Sequence, residues 1–257
     1  MTVTSSNVAV RSLLKQGLAA HRRGDFVAAE EAYVRVLQID AAQVDALHML
    51  GTLHHQRGDA ARARDLLDRA VAAWAKVKTA RATFEQTISN SLTGRTLKAS
   101  GEFQQQRPGK LSVKFDDPAN DRIVADGKQM WLYLPSSAPG QVIRTDLKEG
   151  SSGTVDLSAQ FLTAPRSRYT ITPGPAAVLA GRKTHIYTLV PKDKEAVHFQ
   201  SAMVWIDDTD ATIRQFELTE NANVNRRVLM TSFKTNVPVD ASAFVFKVPT
   251  GVRVVDR

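Results

Sequence analysis

No cysteine occurs among the 257 residues. That excludes disulfides, thiolate metal sites, a cysteine nucleophile and anchoring through a lipidated cysteine. The redox compartment stays open, because a chain without thiols is stable in either. Long apolar runs are also missing: none approaches the roughly 20 residues that a membrane-crossing helix needs. Glycine-rich phosphate loops are absent. Ser151-Ser152-Gly153 lacks the apolar strand and the helix of a nucleophile elbow. His48, His54 and His55 cluster, but His48 and His55 are seven apart rather than at the i, i+4 spacing of a metal pair. Asp207, Asp208 and Asp210 lack the glycine and distal glutamate of a calcium loop and read as a turn. No acid–base pair or nucleophile stands out, so neither an enzyme nor a bound cofactor or metal is expected.

What is present suits two domains. The length is large for one domain and comfortable for two, and a 43% hydrophobic content supports a sizeable core. The net charge of +8 is uneven. Residues 1–73 carry a net of +1 and residues 74–257 a net of +7. Such an excess suits an anionic partner, or simply keeps a surface solvated. The charges are scattered singly, with no block of like sign, which argues against nucleic acid. The opening MTVTSSNVAVRSLLKQG is broken by Ser5, Ser6, Asn7, Arg11 and Ser12 and does not read as a secretory signal. By itself it leads to the expectation of a cytoplasmic chain.

Residues about 8 to 73 are rich in Ala, Leu, Arg and Glu, with apolar positions recurring at three and four, which predicts helix. The segment also repeats. Gly17 and Gly51 are 34 apart, as are Gly24 and Gly58, Asp25 and Asp59, and Ala29 and Ala63. A helix–turn–helix unit of this period resembles the tetratricopeptide repeat. Gly24-Asp25 and Gly58-Asp59 are then expected to turn the chain, glycine ending one helix and aspartate capping the next. Gly17, Gly51, Ala29 and Ala63 are the small packing positions, and Tyr33 and Leu67 the large ones. Ala41 and Ala75 stand where a unit usually closes with proline. Two units fall short of the about three that stabilise a stack, so this half is a fragment of an array or packs on something else.

Helix is expected to continue past Trp74 to about Phe84 or Gln86, the segment Arg62 to Val71 running on without a break. Period-two alternation then begins. Leu97, Ala99, Gly101 and Phe103 form one series and Leu111, Val113 and Phe115 the next, which marks strands with one buried face. Asp126-Gly127 between Arg122–Ala125 and Gln129–Leu134 is a hairpin signal. Further strands are expected at 141–145, 170–172, 185–190, 199–206, 212–220, 227–233 and 244–247. About ten strands in series with short turns favour one large antiparallel sheet or barrel. Residues 151–168 interrupt them as a loop with a short helix. Trp74, Trp131 and Trp205 are expected in sheet or helix cores.

From about Leu66 to Arg257 the order of motifs resembles the LolA family. Val77-Lys78-Thr79 and Phe84-Glu85-Gln86-Thr87 stand at the start. Gly101-Glu102-Phe103, Arg107-Pro108 and Leu111 to Phe115 follow. Val124-Ala125-Asp126-Gly127-Lys128-Gln129-Met130-Trp131-Leu132-Tyr133 comes next, and Phe244-Val245-Phe246, Pro249-Thr250-Gly251-Val252 and Val255-Asp256 close the chain. The resemblance implies an α+β fold: a large twisted antiparallel half-barrel with a helical lid, spanning residues 71–257 after a helical-repeat segment at 1–70. It implies a periplasmic carrier that binds the acyl chains of lipoproteins. An inner-membrane lipoprotein-releasing transporter would load it and an outer-membrane receptor would unload it.

The residues suit that role. Acyl chains need a dry concavity, and each buried methylene contributes about 0.8 kcal/mol. Phe103, Leu111, Val113, Phe115, Met130, Leu132, Leu134, Val142 and Ile186 are apolar strand positions that serve either such a cavity or an ordinary sheet core. By residue type alone Arg107 is a strand-end arginine in solvent. The resemblance implies instead that it bonds lid backbone and sets open and closed states, for which a guanidinium fork is well made. Leu157, Phe161 and Leu162 are the expected lid contacts. A second reading is a protein-interaction scaffold, in which the helical repeats take a peptide partner and the sheet domain senses a lipid or lipoprotein.

Overall fold

The computed structural model describes residues 3–40, 43–147 and 156–257, apart from the side chains of 3–8, 54, 55, 59, 60 and 157. Ala41, Ser151-Ser152-Gly153 and the side chains of His54, His55, Asp59 and Leu157 therefore lie outside the described residues. The chain divides into two units, Met1–Arg64 and Asp65–Arg257.

In the first unit α1 (Val3–Arg22) and α2 (Phe26–Ile39) form a helical hairpin. Gly24 ends α1 with a φ of 77°, a conformation that glycine adopts without strain, and Asp25 caps α2 by accepting from the Ala28 amide at 3.1 Å. Gly17 is required by close packing: a Cβ there would stand 2.6 Å from the Tyr33 ring. Tyr33 closes a core with Ala20, Ala29 and Leu53.

The second expected turn does not form. Helix α3 runs from Val44 to Ala75 straight through Gly58-Asp59. Gly58 keeps a helical φ, and the segment after it, Ala60 to Ala63, is a strong helix former. Nothing approaches a Cβ built on Gly51, whereas Gly17 is clasped by Tyr33. A turn needs a packed partner to hold it, and one glycine does not supply that.

Helix also ends earlier than its composition suggests. After Ala75 the chain enters β1 (Thr79–Asn90). Ala80, Ala82 and Phe84 alternate with exposed residues, so the segment has the strand period although alanine is a good helix former. The strands that follow are β2 (Arg95–Gln106), β3 (Lys110–Asp117), β4 (Arg122–Asp126), β5 (Gln129–Tyr133) and β6 (Gln141–Asp146). Two short helices, α4 (Leu157–Leu162) and α5 (Pro165–Arg168), interrupt them. Then come β7 (Tyr169–Leu179), β8 (Arg182–Pro191), β9 (Ser201–Asp207), β10 (Ile213–Asn221), β11 (Val224–Thr235) and β12 (Arg253–Asp256).

The twelve strands among the described residues form one open sheet in the order β12-β6-β5-β4-β3-β2-β1-β11-β10-β9-β8-β7. Two antiparallel meanders, β1–β6 and β7–β11, are joined where β1 pairs with β11. The segment between the meanders carries α4 and α5. Asp126-Gly127 makes its hairpin: Gly127 has a φ of 99°, and the Asp126 carboxylate accepts from the Lys128 and Gln129 amides at 2.8 Å each.

The C-terminal stretch corrects two expectations. Residues 244–247 are not a strand; a 3-10 helix spans Ala241–Phe244, capped by Asp240. Its alternating Phe244 and Phe246 serve packing instead, Phe246 stacking on Trp131 at 6.1 Å. Pairing falls to β12, which lies parallel to β6 and so breaks the otherwise antiparallel order.

Candidate functional site

Strand pairing aligns residues of one parity across the sheet. Phe103 pairs with Ala82 and Val113, Val113 with Ile123, and Ile123 with Leu132. On the other side Phe84 pairs with Met230, and Val228 with Phe216. All these side chains share one face, the inner face, and all but Ala82 line a cavity of about 290 Å³.

Six of the nine expected cavity residues line it: Phe103, Leu111, Val113, Phe115, Met130 and Leu132. Three stand elsewhere. Ile186 pairs with Trp205, while its neighbours Tyr187 and Leu189 take the inner face, so strand alternation turns Ile186 outward. Val142 is likewise outward, since its neighbour Ile143 is the residue opposite Leu132. It is nevertheless buried, on the face where Phe246 stacks on Trp131. Leu134 lies just past β5, its carbonyl accepting from Ser137 and Ala138 in a turn.

Sequence reasoning missed Phe84, Ile123, Phe216, Leu218, Val228 and Met230 in the lining, together with Gln86, Gln160 and Arg226. Phe84 and Gln86 were hidden by the helical reading of β1, Gln160 stands on α4, and Arg226 precedes the strand expected at 227–233. Ile123, Phe216, Leu218, Val228 and Met230 sit at alternate positions of strands read correctly, so period two was the available signal. Gly101 allows the closest approach in this wall. A Cβ on it would stand 2.2 Å from the Lys114 carbonyl, and across it Phe84 meets Phe115 edge to face at 5.6 Å.

Helix α4 covers part of the same face. Asp156 caps it, its carboxylate accepting from the Ala159 amide at 2.8 Å. Phe161 and Leu162 are buried, and the Phe161 ring lies 5.4 Å from that of Phe216. Gln160 reaches the cavity wall.

Arg107 connects two helix ends. Its Nη1 donates to the carbonyls of Trp74 at 2.9 Å and Val77 at 3.2 Å, at and just past the end of α3, where carbonyls lack helical partners. Its Nε stands 3.2 Å from Asp156 Oδ2, and its guanidinium lies over the Trp74 ring at 5.6 Å. Contact with α4 thus runs through the capping carboxylate, and the backbone bonds go to the end of α3. Burial pushes the Asp156 carboxyl up from its ordinary range, against the pull of the Ala159 amide, Gln105 and the Arg107 charge. Trp74 Nε1 is buried without a hydrogen-bond partner among the described residues, while Asp156 Oδ2 is held by its ion pair with Arg107. An unpaired buried donor costs about 1–3 kcal/mol, so this clasp is closed but not fully satisfied.

The other end of the inner face is filled. Tyr169 stacks on Phe199 at 6.2 Å, Phe161 lies 6.2 Å from Phe199, and Tyr187 is completely buried. The turn 207–210 is held by ion pairs: Asp207 with Arg182 and Arg214, and Asp210 with the same two arginines. Burial alone would raise Asp207. The Arg182 hydrogen bond, the Thr209 and Asp210 amides and the Arg182 charge outweigh it and hold the carboxyl down at about 2.

The model of the family described as outer membrane lipoprotein carrier protein LolA matches residues 75–247 of this chain. The chain belongs to the LolA family. An outer-membrane lipoprotein carrier protein of Proteus mirabilis is 28% identical over 182 residues, covering 71% of this chain and 84% of that one. One from Pseudomonas entomophila is 25% identical over 224 residues, covering 87% and 99%. Among solved structures, a LolA superfamily protein from Nitrosomonas europaea aligns with a TM-score of 0.36 at 9% identity, over 72% of this chain and 97% of that one. A tetratricopeptide-repeat model matches residues 20–82, so the helical repeats precede and slightly overlap the LolA region. In this LolA-family chain every expected cavity residue on the inner face of β2, β3 and β5 comes from a motif that carried the resemblance.

Proposed function

We propose that this protein carries acylated lipoproteins, or a similar lipid-linked ligand, by burying acyl chains in the inner-face cavity, with no chemical step. The observation that carries this reading is a cavity of about 290 Å³ whose wall is apolar except for Gln86, Gln160 and Arg226. Cores normally close such space, since interiors pack like organic crystals. Transfer of one methylene into the cavity contributes about 0.8 kcal/mol, so a few buried methylenes give useful affinity without any polar contact. At about 30 Å³ per water-sized group, the cavity holds on the order of ten such groups. Movement of α4 would make room for a longer chain, with the Arg107–Asp156 contact as the latch.

By family, the work belongs in the periplasm, between a lipoprotein-releasing transporter of the inner membrane and a receptor of the outer membrane. The helical unit adds a peptide partner: Leu18, Val27, Val34 and Leu47 are large apolar side chains exposed on it. Retention of that partner by a Leu47→Glu variant would remove this addition.

The test of the carrier reading is displacement of a hydrophobic fluorescent probe by a triacylated lipopeptide on the full chain. Saturable uptake of both is expected. A probe that stays dark, with no lipopeptide bound, would sink the proposal. Arg107→Leu is expected to speed lipopeptide entry and amide exchange in α4; unchanged rates would remove the latch role.

A further inference from the structure

Apart from Gln160 of α4, the cavity wall is polar only at Gln86 and Arg226, beside which β10 places Glu220. Gln86 of β1 and Arg226 of β11 are inner-face positions near the β10–β11 turn, Gln86 pairing with Val228 and Arg226 with Leu218 and Ile88. Arg226 Nε donates to Glu220 Oε1 at 2.5 Å, and Nη1 donates to Gln86 Oε1 at 3.1 Å. The Arg226 side chain is one-third exposed (33%), and Glu220 is similar at 27%. A guanidinium has five N–H donors. Two are used here, and Nη2 has no partner among the described residues.

We infer that this trio is the head-group pole of the cavity, and that it selects acyl ligands whose head is a neutral ester or amide carbonyl. The inference rests on the carrier reading. A pocket made only for hydrocarbon gains nothing from a half-desolvated ion pair beside Leu218, because removing a charge from water is costly. Glu220 and Gln86 hold Arg226 in place from neighbouring strands, so its free donors cost little further ordering when a ligand arrives. With the chain lying along Phe84, Phe115 and Val113, a carbonyl oxygen at its end accepts from Nη2. The charge of Arg226 is already balanced by Glu220. An anionic head would find no net positive charge and would face the Glu220 carboxylate, whereas a neutral carbonyl has nothing to repel it.

The probes are dodecane, methyl dodecanoate and dodecanoate, each displacing a hydrophobic dye from the full chain. Arg226→Met is expected to weaken methyl dodecanoate about tenfold, the loss of one hydrogen bond to a charged donor, and to leave dodecane within about twofold. Glu220→Gln is expected to strengthen dodecanoate several-fold relative to its methyl ester, because it unmasks the guanidinium charge. If Arg226→Met does not fold, Arg226→Lys and Glu220→Gln carry the test; the lysine keeps a donor and is expected to lose less than about threefold for the ester. Equal losses for dodecane and the ester, no loss for the ester, or an unchanged preference in Glu220→Gln would each overturn the inference while leaving the carrier reading standing. A wild-type chain that binds none of the three would overturn both.

Discussion

Over β7 to β9 the inner face carries Tyr169 and Tyr187, closed by Phe161 and Phe199, while over β1 to β5, β10 and β11 it carries Phe103, Leu111, Val113, Met130 and Phe216 around open space. Both halves use the same period-two pattern and the same sheet. They differ in supplied volume. One half receives aromatic rings from the sheet and from α4 and packs them together. The other receives mostly aliphatic side chains and no plug. Apolar side chains left around partly open space forgo packing contacts, which costs stability. The filled half and its ion-paired turn are the part of the sheet unit able to offset that cost. Stability is concentrated at one end of the face and binding space at the other.

Three measurements would break or sharpen this contrast. The largest effect is expected from Tyr187→Ala in the filled half: about 4 kcal/mol lost in urea unfolding, as for other buried aromatic truncations. A loss below about 1 kcal/mol would erase the distinction between the halves. Next is Asp207→Asn, which leaves Arg182 and Arg214 without their buried partner and is expected to cost about 3 kcal/mol near neutral pH. The sign of its pH dependence follows from a carboxyl held at about 2 against an ordinary 3.8. The contribution of Asp207 is complete above about pH 4 and is lost as the pH falls toward 2. Wild type should therefore lose stability across that window more steeply than the variant, and parallel acid curves would remove Asp207 from the account. The smallest effect on stability is expected in the hollow half. Val113→Phe places a ring where space exists, so stability should change by no more than about 1 kcal/mol while probe uptake falls sharply. A loss of about 3 kcal/mol would show that the space is not usable.

The legible parts of this protein were those governed by near neighbours in sequence. Asp126-Gly127 turned as expected because its carboxylate and its positive φ suffice for the hairpin. Gly24-Asp25 turned for the same reason, with Tyr33 packed on Gly17 to hold it. Gly58-Asp59 has the same letters but did not turn, since no side chain closes on Gly51. Phe84 was obscured by the alanines around it, which favour helix locally and were overruled by pairing on both edges of β1. Arg226 gave no signal at all: an arginine among strand residues looks solvated until Gln86 and Glu220 are seen beside it.

The sequence by itself determined the parity of most strands, the family motifs and the helical nature of the first unit, because periodicity and capping act over a few residues. Only the tertiary structure decided that β1 closes against β11, that β12 lies parallel to β6, and that six of nine expected residues share a cavity with Phe216 and Met230. The physical reason is that alternation assigns a side chain to a face, but neither its neighbour across the sheet nor the volume left unfilled between them is encoded in any local stretch.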